Sequence, residues 1–120
     1  MKNSKSTLTD LVKSEIKVLN HRIAEMKSRL DADFEYNLAW VGEDLYKANL
    51  RLKVMNGLIA ELGSHTEEEV IAYNLKYALD FITRSYNVRE NSTGSLHREV
   101  STWKFQVQVD FYNWLKDLTN

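Results

Sequence analysis

Apolar residues recur along most of this chain at alternating steps of four and three, the spacing that lines one face of an α-helix. The longest run is Phe34, Leu38, Val41, Leu45, Ala48, Leu52, Met55, Ile59 and Leu62. Before it, Leu8, Val12, Ile16, Leu19, Ile23, Met26 and Leu30 form another stripe, opened by Thr7 and Asp10 in the manner of a capping box. The rhythm slips across Asp31, Ala32 and Asp33, and Asp33 suits the N-cap of the helix that follows. This slip predicts a tight turn. With no Gly or Pro there, the alternative is one continuous helix of about 55 residues, ~80 Å long at ~1.5 Å per residue.

Gly63 closes the long seam and predicts a left-handed C-cap, while Thr66, followed three residues later by Glu69, opens a third helix. Glu67 and Glu68 complement the dipole at that helix start. The third stripe, Val70, Ile71, Leu75, Ala78, Leu79, Ile82 and Tyr86, leaves only a narrow polar strip of Lys76, Asp80, Thr83 and Asn87. Such a helix is expected to be covered on most sides. Residues 89–95 are the loop-like cluster of the interior.

Beyond that loop two periods compete. Trp103, Phe105, Val107, Val109 and Phe111 alternate with polar residues as in a half-buried strand, but Leu96, Val100, Trp103, Val107, Phe111, Trp114 and Leu118 also make a helical stripe. A lone strand would leave its backbone groups unpaired, which favours helix; a strand paired across a dimer is the alternative. The pattern predicts an all-α protein of one domain over residues 1–120. Its helices run over about 7–31, 33–62, 66–88 and 95–118, forming an antiparallel four-helix bundle with long helices that self-associates.

Composition fits a folded, soluble chain: of 120 residues, 43% are apolar and 28% charged, with no proline and four glycines. Absence of cysteine excludes disulfides and thiolate chemistry. The polar first residues lack the apolar core of a signal peptide and no run is long enough to cross a bilayer, so the expected location is the cytoplasm. Net charge is −1 but unevenly spread: residues 1–30 carry seven Lys or Arg against three acids, and residues 31–69 carry nine acids against three. Adjacent antiparallel helices of opposite sign would satisfy this segregation internally. Nucleic-acid binding through the basic first helix is the alternative, disfavoured because no aromatic residues interleave with its basic ones.

Catalysis finds little support. His21, His65 and His97 have no ligand partner at helical spacing, and the acids at Glu43–Asp44 and Glu67–Glu69 diverge around a helix axis. No nucleophile turn or phosphate-binding glycine loop occurs, so neither an enzyme, a metal nor a cofactor is expected. One site-like feature is the segment before the fourth helix. There Ser92, Thr93 and Ser95 would offer hydroxyls, and Arg84, Arg89, His97 and Arg98 positive charge. Tyr86 and Trp103 would add a stacking surface, together suiting a small anionic or nucleotide-like ligand.

Off the main seam, Tyr36, Trp40, Leu50, Val54 and Leu58 give the second helix another apolar face, and Gly42 would permit close approach of a neighbouring helix. Two faces need two partners. The sequence therefore predicts an interaction protein of adaptor or inhibitor type, with a homodimer favoured and a further protein partner expected. Long two-faced helices of this kind are common to adaptors, phage-encoded inhibitors and helical ligand-binding bundles, a likeness of fold alone.

Overall fold

A computed structural model describes residues 7–90 and 95–118, and their side chains except those at 39, 85–90 and 95–98. The described residues are all-helical: α1 (Leu8–Ala32), α2 (Phe34–Leu62), α3 (Glu67–Glu90) and α4 (Ser95–Leu118). None of these helices is long and apolar enough to cross a membrane. The chain divides into two compact units, Met1–Glu67 and Glu68–Asn120.

In the first unit, α1 and α2 fold back on one another around a single non-helical residue. Asp33 has extended backbone (φ −157°, ψ 92°) and caps both helices: its N–H donates to the Arg29 carbonyl at 3.2 Å and its Oδ1 accepts from the Tyr36 N–H at 3.2 Å. Asn37 completes the corner by donating from Nδ2 to the carbonyls of Arg29 and Asp33, at 2.8 and 3.0 Å. Side chains thus satisfy helix-end groups that a continuous helix would have bonded internally, so the turn forms without Gly or Pro. Farther along the hairpin, Arg51 Nε donates to Glu15 Oε2 at 2.8 Å. Each of that pair lies eighteen residues from Asp33, which places the two helices antiparallel.

The hairpin core draws on both stripes and, on α2, also on Leu58, which lies off the seam. From α1 come Leu8, Val12, Leu19, Ile23 and Met26; from α2 come Val41, Ala48, Met55 and Leu58. The helix ends differ from expectation at Gly63, which is right-handed (φ −74°, ψ −17°) and not a left-handed cap. Its N–H bonds back to Ala60 at 3.3 Å and the Ser64 N–H to Glu61 at 3.1 Å. This tightening toward 3₁₀ geometry satisfies the last carbonyls, so no positive φ is required. Gly42 provides no close helix approach among the described residues either: a Cβ built there would meet Leu38 of its own helix at 3.6 Å and no described residue of another helix within 4 Å.

At its N-terminus α1 has two caps. Thr7 Oγ1 accepts from the Asp10 N–H at 3.1 Å, and Glu67 Oε2 accepts from the Leu8 N–H at 2.9 Å. Two of the four orphan donors of the helix are thereby satisfied by side chains.

In the second unit, α3 buries Val70, Asn74 and Ala78, one turn apart, with Asn74 Nδ2 donating to the Val70 carbonyl at 2.8 Å. The expectation that α3 is covered on most sides is not met, since Leu79, Tyr73 and Tyr77 stand exposed. On α4 the buried positions are Val107, Phe111 and Leu115, again one turn apart. Helical geometry accounts for the alternating pattern of 103–111 by placing Val107 and Phe111 inward and Phe105 and Val109 on half-buried flanks. Leu115 takes the inward place in the last turns, while Trp114 is half-buried and Leu118 is exposed.

Candidate interaction surface

Immediately after the Asp33 corner, α2 exposes four large apolar side chains in seven residues: Phe34, Tyr36, Leu38 and Trp40. Phe34 and Leu38 continue the core seam yet stand exposed, as do Arg29, Asp31 and Ala32 at the end of α1. Tyr36 and Trp40 lie one turn apart on the other side of α2, 64% and 68% exposed. Their ring centroids are 6.4 Å apart at a 51° tilt, within the distance over which aromatic rings interact.

The same stretch is acidic. No basic residue occurs between Arg29 and Lys47, whereas Asp31, Asp33, Glu35, Glu43 and Asp44 all fall within it. Glu43 forms an ion pair with Lys47 one turn along. Asp31, Glu35 and Asp44 are exposed and, among the described residues, pair with no cation. Nor do Lys13, Lys17 and Arg22, exposed on α1, pair with any acid there. The cross-helix ion pair Glu15 with Arg51 runs against the charge segregation, with the acid on α1 and the base on α2.

Of the other residues expected on the second face of α2, Leu50 and Val54 are half-buried. Leu58 is a correction: at 1% exposed it belongs to the core, because the α2 seam drifts toward it in the last turns and Met55–Leu58 replaces Met55–Ile59 as the inward pair. The segment expected to bind an anion is only partly described. Arg84 is exposed on α3 with Nε 3.5 Å from the Asp80 carbonyl, and Trp103 is half-buried on α4. Tyr86, Arg89, Ser95, His97 and Arg98 fall in α3 and α4, with side chains outside the description; Ser92 and Thr93 lie outside the described residues.

Sequence reasoning missed two features. Tyr73 and Tyr77 stack on α3 with centroids 6.2 Å apart and planes 15° from parallel. Their i, i+4 spacing off the main stripe was the available signal. Val18 is the other, an apolar residue 52% exposed among Lys17, His21 and Arg22. Among the described residues no group of three or more His, Cys, Asp or Glu side chains could hold a metal ion. No known protein family matches the chain, and neither a curated protein nor a solved structure is found to be similar to it.

Proposed function

We propose that this protein is a non-enzymatic helical interaction protein of adaptor or inhibitor type, acting by protein–protein binding and homo-oligomerisation, with the acidic, aromatic tip of the α1–α2 hairpin as its binding surface. The observation that carries this is the exposed Tyr36–Trp40 pair on a helix fixed by the Asp33 corner. Tyr and Trp combine large contact area with few rotatable bonds and are the residues most enriched among binding hot spots. Clustered large apolar side chains on a soluble surface mark sites that a partner covers. On the same reading the four helices close into an antiparallel bundle, supported by the apolar stripe that each one carries.

Capture of partners from an extract of the native host, with wild-type protein and Trp40→Ala side by side, tests the reading. A protein retained in fixed proportion by the wild type and lost with Trp40→Ala is the expected result. Equal retention by both, or retention of nothing, contradicts it.

A further inference from the structure

The occupant of the hairpin tip can be named from charge. Building on the binding role of the tip, we propose that it is a second copy of this chain, seated antiparallel, so that Tyr36 and Trp40 of each copy cover the basic stretch of the other's α1 around Val18. The acids Asp31, Glu35 and Asp44 and the bases Lys13, Lys17 and Arg22 are exposed and form no ion pair among the described residues. Within one hairpin the corner acids do not reach Lys13 and Lys17, which precede Asp33 by twenty and sixteen residues, or ~30 and ~24 Å of α1 at ~1.5 Å per residue, and Arg22 and Asp44, each eleven residues from Asp33, stand at one level without forming an ion pair. Reversing one hairpin against another brings each acidic tip onto a basic stretch, and two-fold symmetry makes that contact twice.

The chemistry at each contact matches as well. Val18 offers an apolar seat between Lys17 and Arg22, whose cationic groups can lie over the Trp40 and Tyr36 rings while pairing with Glu35 and Asp31. Four rings, two from each copy, bring ~150–250 Å² apiece when covered. With the surface they cover, this clears the ~1,000 Å² expected of a specific interface.

Two charge-reversed variants decide the matter: a tip variant, Asp31→Lys with Glu35→Lys, and a stretch variant, Lys13→Glu with Lys17→Glu. All four positions are exposed, and circular dichroism checks that helix content is kept. Sedimentation equilibrium of the full chain at low salt should show a wild-type dimer. Each variant alone should have its dimer dissociation constant raised at least ~10-fold by like-charge contact, and an equimolar mixture should return close to the wild-type value. A monomeric wild type, variants that dimerise as the wild type does, or a mixture that stays monomeric would each overturn the proposal. Should the wild type be monomeric while capture remains dependent on Trp40, the tip binds something other than its own copy. Loss of that dependence instead removes the binding role itself.

Discussion

The carboxylate of Glu67 accepts a hydrogen bond from the backbone N–H of Leu8 at 2.9 Å, so a side chain fifty-nine residues away caps the first helix. Together with Thr7 it holds in place the end of α1 opposite the Asp33 corner. Removing an N-cap acceptor costs ~0.5–2 kcal/mol. Glu67→Ala should therefore lower the free energy of unfolding by about 1 kcal/mol, and Glu67→Gln, which keeps an acceptor oxygen, by less. Urea denaturation followed by circular dichroism reads both.

The contrast between core and tip gives a sharper test. Met55 and Leu58 are 0% and 1% exposed, so Met55→Ala or Leu58→Ala should destabilise by ~2–5 kcal/mol. Trp40→Ala removes a larger side chain from solvent and, at a concentration where the chain is monomeric, should shift stability by no more than ~0.5 kcal/mol. Thermal or chemical denaturation of the three variants under identical conditions checks the ordering.

Much of this architecture was written in local pattern. Thr7 with Asp10, the slipped rhythm before Asp33 and the α1 stripe from Leu8 to Leu30 are each set by neighbours within a turn or two, and in the structure Thr7 caps α1, Asp33 breaks the helix, and five residues of the stripe are buried while Ile16 and Leu30 are half-buried. What pattern could not supply depends on distant residues. Phe34 and Leu38 sit in register with the seam yet are exposed, because burial depends on what lies opposite and not on spacing alone. Glu67 reads locally as a dipole-complementing acid, and only the tertiary fold turns its carboxylate toward α1. At Gly63, residue type suggested a left-handed cap while 3₁₀-type bonds satisfied the same carbonyls. The tip was visible as a second apolar face through Tyr36 and Trp40, but its limit was not, since Leu58 differs from them only in what lies opposite.

Ion pairing within the first unit should rank by geometry. Glu15 and Arg51 join two helices with side chains 30% and 18% exposed, whereas Glu43 and Lys47 are an i, i+4 pair on one helix, 48% and 27% exposed. Exposed helix pairs contribute ~0.3–0.5 kcal/mol. Double-mutant cycles with alanine should give a coupling near that range for Glu43–Lys47 and a larger one for Glu15–Arg51, with the smaller coupling vanishing first as salt is added.

Gly57 offers a gain. It lies in the interior of α2, and a Cβ built there meets nothing within 4 Å. Gly57→Ala should stabilise the protein by ~0.4–1 kcal/mol, chiefly by restricting the unfolded chain. A raised denaturation midpoint with an unchanged urea slope is the expected signature.

Trp40 itself reports most directly on whether an exposed aromatic tip becomes covered on association. In a protein with Trp103→Phe and Trp114→Phe, the remaining indole should emit at long wavelength and be quenched freely by acrylamide when dilute. As concentration rises its emission should shift to the blue and quenching should fall. Short-wavelength emission and protection at the lowest concentration, or full exposure at every concentration, would contradict the account.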